Sequence, residues 1–398
     1  RTLSLSSVFS LLAPDAPFPE MVCDLLWLED LNLNRGNYVG TVPSCLGKLT
    51  RLQYFSAWLN GLTGTIPSEL GLCPLQALKL SSNYFEGTIP DELWRIPTLR
   101  GIELANTSIR GTLPTFGRDN ATALSVIQLG GTGIYGTLPS WDDLQLSHVG
   151  LSGTDITSTI PEGYCNSVGL RTLDLYATNI YGTIPDCIFL TLVEEVNLLG
   201  TNLWGTLPDL YPAEKLILLT ATSTSLEGTL PKLLPAALSQ LFLDDCQFTG
   251  TIPEQWGTSQ ALRILDLSDN KLNGTIPEQL FASGSLKSLD LARNLLTGVV
   301  PGDLCSVEGF NVRENKLFCP LPDCCDYDVQ KCTYPYSNQC CSRECVDVTI
   351  VRPPPSPPAP PDRGFPVVLV AVMASLLLLA VLFVIATGVV AWRCGGPR

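Results

Sequence analysis

The frame L-x-x-L-x-L-x-x-N-x-L-x-G-x-[IL]-P recurs along most of this chain, and few folds can hold it. Its first position falls at Leu28, Leu52, Leu75, Leu99, Leu124, Leu146, Leu170, Val193, Leu216, Leu238, Leu262, Leu286 and, more weakly, Val307. Twelve turns carry the proline in register from Pro43 to Pro301. A period of 21 to 25 residues is too short for a domain with its own core. It marks a solenoid, in which each turn buries its apolar side against the next.

The run "LRTLDL" shows the local logic. Strand geometry puts Leu173 and Leu175 on one side, pointing inward. A buried leucine is worth roughly 1.5–3 kcal/mol, so one turn cannot offset its ordering entropy but a stack can. Gly182, at the thirteenth position, permits a backbone turn that side chains resist. Pro185, at the sixteenth, fixes φ and bends the chain away from the sheet. The expected fold is an α/β-type repeat solenoid, a curved coil with a parallel concave sheet over 28–322, preceded by an incomplete cap at 1–27.

The ninth position is asparagine at Asn60, Asn83, Asn270, Asn294 and Asn315, an amide able to donate to and accept from buried backbone. Six consecutive central turns instead carry Thr107, Thr132, Thr154, Thr178, Thr201 and Thr224, followed by Cys246. The expectation is a ladder of hydroxyls replacing the ladder of amides.

The G-x-[IL]-P ending resembles plant-type leucine-rich repeats, from Leu28 to Pro322. The runs "GGTGIYGTLPSW", "SGTDITSTIPEGY" and "LGTNLWGTLPDL", with Trp141 and Trp256 after their prolines, resemble kinetoplastid surface antigens of the promastigote surface antigen type. That resemblance implies a secreted or membrane-held protein with a cysteine-rich segment between repeats and anchor. The chain departs from it in its asparagine turns and in its basic-flanked apolar segment.

That segment, Val367 to Trp392, holds no charge over 26 residues, enough for a membrane helix of about 30 Å. Arg393 and Arg398 follow it, placing the preceding chain outside a plasma membrane and 393–398 in the cytoplasm. A lipid-anchor signal is the alternative. Ahead of it, "RPPPSPPAPPDRG" makes 350–366 an extended stalk.

Of fifteen cysteines, eight fall between Cys305 and Cys345, which makes 323–349 a disulfide cap of undetermined connectivity, with zinc as the rival reading. Cys165 and Cys187 occupy near-equivalent places on adjacent turns and are candidates to bridge; Cys246 reads as a buried thiol. Cys23, Cys45 and Cys73 form an odd set, one of them a candidate to pair with a residue before the start. Cys394 reads as palmitoylated or free. Asn106, Asn120 and Asn273 begin N-x-[ST] glycosylation acceptors, with Asn106 expected on the concave side.

A formal charge of −14 with no basic stripe excludes nucleic acid as the main partner. The one histidine, His148, has no second imidazole beside it for a metal and no Ser-His-Asp order around it, and is expected to face solvent. The chain reads as non-enzymatic, with no cofactor and no metal. A surface is what remains. Tyr54, Trp58, Tyr176 and Phe242, then Asp244, Asp245, Asp266, Asp269 and Asp290, are the outward concave residues that would meet an extracellular protein or glycan ligand. A second row, Tyr135, Tyr181 and Trp204, is expected to pack locally between turns. The functions that fit are a ligand-binding surface glycoprotein in adhesion, host contact or recognition, a receptor-like protein signalling through a co-receptor kinase, or a structural coat protein.

Overall fold

The computed structural model describes residues 2–5, 15–115 and 123–318. The expected cap at 323–349, the stalk, the membrane helix, the tail and Asn120 lie outside the described residues, as do 319–322 of the solenoid. Among the described residues no helix is long and apolar enough to cross a membrane.

Each turn contributes one short strand to a fourteen-stranded, all-parallel sheet whose spatial order follows the sequence. The register is regular: Leu173 lies opposite Val149 on one side and Val196 on the other, and Asp266 lies between Phe242 and Asp290. Leu31, Phe55, Leu78, Ile102, Ile127, Leu219, Leu241 and Leu265 occupy the same inward column and are fully buried. The sheet has one strand more than the thirteen turns numbered from Leu28. Thr2–Ser4 pairs with Asp30–Asn32, Ala16–Pro17 pairs with Tyr38–Thr41, and Glu20–Asp24 forms a 3-10 helix after Pro19. The described residues ahead of Leu28 thus add strands and a 3-10 helix in the same arrangement as the later turns.

Past the ninth position, a second set of strands runs up the flank of the coil. Seven of them, ending at Asp155–Ile156, form one sheet, and five, starting at Tyr181–Gly182, form another. Their outward residues alternate with buried ones, as in Asn202–Thr206, where Leu203 is buried and Asn202 and Trp204 are exposed. The two sheets are joined by only two backbone bonds, Asn179 N–H to Ile156 O and Tyr181 N–H to Ser158 O, both 2.9 Å.

After Pro43, Pro67, Pro161, Pro185, Pro253, Pro277 and Pro301 the chain forms 3-10 helices of four or five residues, such as Asp186–Leu190, after Pro90 a single α-helical turn, Asp91–Trp94, and after Pro139, Pro208 and Pro231 only turns. The α component of the expected class is therefore replaced by 3-10 structure. With the two strands and their turns already formed, too few residues remain before the next turn for a stable α-helix.

The ninth position departs from the expected hydroxyl ladder. Asn83 donates to Leu80 O in its own turn and to Ala57 O in the turn before (both 2.9 Å), and its Oδ1 accepts Leu62 N–H at 3.1 Å. Thr178 donates only to Leu175 O, three residues back, at 2.7 Å. Thr107, Thr132, Thr154, Thr201 and Thr224 repeat that bond within their own turns. The shorter side chain does not span the gap between turns, so the threonine block is a series of separate intraturn bonds. Cys246 partly restores the span, its Sγ lying 3.2 Å from Ala221 O in the preceding turn and 3.2 Å from Thr224 Oγ1.

Candidate ligand-binding site

The third, fifth, seventh and eighth positions of each turn face outward from the large sheet, giving a grid along the coil. Tyr54 is exposed, and its hydroxyl donates to Gln76 Oε1 at 2.8 Å; Gln76 in turn donates to Gln53 Oε1 at 2.8 Å. Trp58 is half-buried, with the Arg35 guanidinium 4.3 Å from its ring centre. Tyr176 and Phe242 are half-buried on later turns. At about 4.8 Å per strand, Tyr54 and Tyr176 stand roughly 24 Å apart, and Phe242 lies roughly 14 Å further on. The four aromatics are thus spread along the face.

The five aspartates do come together. Asp266 and Asp290 are directly opposite on neighbouring strands, with Phe242 beside Asp266. Asp266 Oδ1 accepts from Ser268 N–H (3.0 Å) and Oγ (2.7 Å). Asp244 accepts from Thr222 Oγ1 at 2.6 Å, and Asp245 from Ser223 Oγ at 2.8 Å. Asp290 accepts from Ala292 N–H and Asn311 Nδ2, both 2.9 Å, while Asp269 is paired with Arg293. Burial pushes the Asp266 carboxyl up to about 6, with the charges of Asp244 and Asp290 adding to it. Asp244 is also raised, first by burial.

Sequence reasoning overlooked a mid-coil set at the same positions: Glu103, Asp174 and Glu195. Burial raises the carboxyls of Asp174 and Glu195. Counting positions three and five of the frame would have found them. His148 is half-buried rather than solvent-facing, with Nδ1 2.9 Å from Ser147 Oγ and its pKa lowered, mainly by burial. Several concave cations are engaged with the neighbouring turn, Lys79 with Glu103 (2.8 Å), Lys287 with Glu308 (2.6 Å) and Arg171 with Glu194. Asp174, Glu195, Asp244, Asp245, Asp266 and Asp290 are in no ion pair among the described residues, so the face carries surplus negative charge.

Asn106 is exposed at the eighth position of its turn, with φ +55°, the place that Asp245 and Asp269 hold on later turns, so it stands on the concave side as expected. Asn273 is exposed on the flank. Tyr135, Tyr181 and Trp204 do not pack away between turns: they are 51%, 47% and 55% exposed on the flank. Cys23 pairs with Cys45, not with a residue before the start, and Cys165 pairs with Cys187. Both bridges join the fourth residue after one proline to the second residue after the next, 22 residues on. Cys73 and Cys246 are buried thiols, and Cys305 is disulfide-bonded.

Three segments, 74–96, 261–282 and 285–307, match the Leucine Rich Repeat family. The described coil is a leucine-rich-repeat solenoid. Receptor-like protein 35 of Arabidopsis thaliana is 30% identical over 147 residues, which is 37% of this chain and 15% of that protein. Leucine-rich repeat receptor protein kinase MSL1 of Oryza sativa subsp. japonica is 38% identical over 84 residues, or 21% of this chain and 6% of that one. The chain thus spans a small fraction of the length of these relatives. Among solved structures, a TDR receptor superposes with a TM-score of 0.71 at 28% identity, covering 78% of this chain and 55% of that one. The Arabidopsis receptor kinase HAESA in complex with the peptide hormone IDA and the co-receptor SERK1 gives 0.71 at 26% identity, covering 81% and 59%.

Proposed function

We propose that this chain is the recognition part of a cell-surface glycoprotein and that its concave face takes a peptide-like extracellular ligand carrying positive charge. The observation that carries this reading is the run of carboxylates around Phe242, of which Asp244, Asp245, Asp266 and Asp290 are in no ion pair among the described residues, while Arg293 is paired with Asp269. Complementary charge speeds encounter and selects partners. Similarity to HAESA, whose solved complex contains a peptide hormone, supports a peptide over a glycan. Likeness of the threonine turns to kinetoplastid surface antigens supports a role in adhesion or host contact. Residues 367–392 would hold the protein in a plasma membrane, as a helix or as part of an anchor signal, with glycans at Asn106, Asn120 and Asn273.

A binding screen of the full chain against host surface proteins and basic peptides tests the reading. Trp58→Ala, Tyr176→Ala and Phe242→Ala together should abolish a hit; Asp266→Asn with Asp290→Asn should weaken it and flatten its salt dependence. Unchanged affinity in both variants rejects the concave site. A second reading, signalling through a co-receptor, is favoured by the presence of SERK1 in the HAESA complex. Ligand-dependent co-precipitation of a kinase would select it.

A further inference from the structure

The flank of the coil has a surface of its own. The twelfth position of repeats 4 to 9 reads Arg110, Tyr135, Thr157, Tyr181, Trp204, Glu227, and every one of these residues is exposed. Trp204 is the most exposed tryptophan of the described residues, at 55% against 40% for Trp27. The indole N–H groups of Trp141 and Trp256 donate to Pro114 O (3.1 Å) and Pro231 O (2.9 Å). Trp204 Nε1 and the hydroxyls of Tyr135 and Tyr181 have no hydrogen-bond partner among the described residues. Three aromatic rings with idle donors therefore face outward in one row.

Register sets their spacing. Tyr181 lies opposite Asn202 and Trp204 opposite Ser225, so each strand is offset from the last by two residues. Two residues give about 6.6 Å along the strand and one strand gives about 4.8 Å across, hence roughly 8 Å between twelfth positions of successive turns. A polyproline II helix advances about 9 Å per three-residue turn and leaves its carbonyls free to accept. Its repeat thus presents one ring and one carbonyl to each turn of the coil. Aromatic rows with free donors are the general means of binding such helices.

Charge narrows the choice. Arg110 stands one turn before Tyr135 and Glu227 one turn after Trp204, and neither is in an ion pair among the described residues. A neutral glycan would leave both charges uncompensated; a peptide with an acidic and a basic end would satisfy both. We propose that the flank of repeats 4 to 9 binds a proline-rich segment of another protein in the polyproline II conformation, with a basic residue at Glu227 and an acidic one at Arg110. This face is separate from the concave one, and either assignment stands if the other fails.

The test is fluorescence polarisation with the full chain and labelled peptides of Pro-Pro-Ala repeats, flanked by Asp and Arg in both orders. Saturable binding by one order is expected, weakened at least about tenfold by Trp204→Ala and by Glu227→Lys, and unchanged by Tyr176→Ala. Trp204 is half in solvent, so its variant should keep the circular dichroism spectrum of the parent. Absence of saturable binding by either order up to about 1 mM overturns the proposal. So does binding that survives Trp204→Ala, or capture of a neutral hexasaccharide, and not the peptides, through Trp204.

Discussion

The ninth position offers a sharp test of how the coil is held together. Asn270 is buried and makes four bonds: Nδ2 to Leu243 O (2.8 Å), Leu267 O (3.2 Å) and Ser268 O (3.0 Å), and Oδ1 from Phe248 N–H (2.9 Å). Two of these, to Leu243 and from Phe248, reach the preceding turn. Asn270→Ala strands that amide and that carbonyl inside the coil, at about 1–3 kcal/mol each, so roughly 2–6 kcal/mol in all. Thr178→Ala removes one bond, to Leu175 O, and should cost roughly 1–3 kcal/mol. Asn270→Thr is the decisive variant. Threonine keeps the bond three residues back and loses both that cross to the previous turn, so it should behave nearly as badly as alanine. Urea denaturation gives the overall loss, but long repeat arrays need not unfold in one step. Hydrogen exchange at the Phe248 amide gives the local answer, expected to accelerate in both Asn270 variants and not in Thr178→Ala. If Asn270→Thr matches the parent in stability and in Phe248 exchange, the argument that threonine cannot replace the interturn bonds is wrong.

Other perturbations probe the remaining contacts. Removing either disulfide by paired Cys→Ser substitution should cost about 3 kcal/mol for a 22-residue separation, seen as a lower melting temperature that reducing agent reproduces in the parent. The Asp266 carboxyl is raised from 3.8 to about 6, so the folded chain holds that proton more tightly than the unfolded chain. Its contribution to stability is present at low pH and is lost as pH rises through about 6; Asp266→Asn should reduce the stability difference between pH 4 and pH 7. A Cβ at Gly257 would sit 1.6 Å from Gln279 O in the next turn, while at Gly302 it would meet nothing within 4 Å. Gly257→Ala should therefore destabilise by about 1–3 kcal/mol or more, and Gly302→Ala should leave the melting temperature within a degree or two.

The coil was legible because its leucines obey a period that backbone geometry enforces. Leu173, Leu175 and their equivalents are buried where the frame puts them, since each strand can turn only one side inward. The ninth position was legible in identity and not in consequence: a hydroxyl and an amide share bonding types, and only the distance between turns reveals that one reaches and the other does not. The concave residues were half legible. Asp266 and Asp290 meet because one frame position maps to one column, whereas Tyr54 and Tyr176 share a face but sit five strands apart, which a list of outward residues does not display. The flank was misjudged for a related reason. Tyr135, Tyr181 and Trp204 precede a glycine whose turn looked able to shelter them, but the strand alternation that buries Leu203 forces Trp204 outward.

These local choices converge on one place. Threonine leaves the ninth position of repeats 4 to 9 without a bond to the preceding turn, and within that block the flank sheet is interrupted between Ile156 and Tyr181. The interruption falls where Ser158 takes the thirteenth position that glycine holds in repeats 1 to 5 and 7 to 12. The large sheet and the apolar interior cross that seam undiminished, together with two flank backbone bonds and one from Leu192 N–H to Val168 O at 3.1 Å. The Cys165–Cys187 bridge spans the same pair of turns from the 3-10 side. A covalent tie thus joins two turns that lack both an interturn bond from the ninth position and a continuous flank sheet. A bridge between asparagine turns would instead duplicate bonds already made. On this account reduction should first release the amides of Asn179 and Tyr181 to exchange, ahead of those in repeats 11 to 13, where Asn270, Asn294 and Asn315 still join turn to turn.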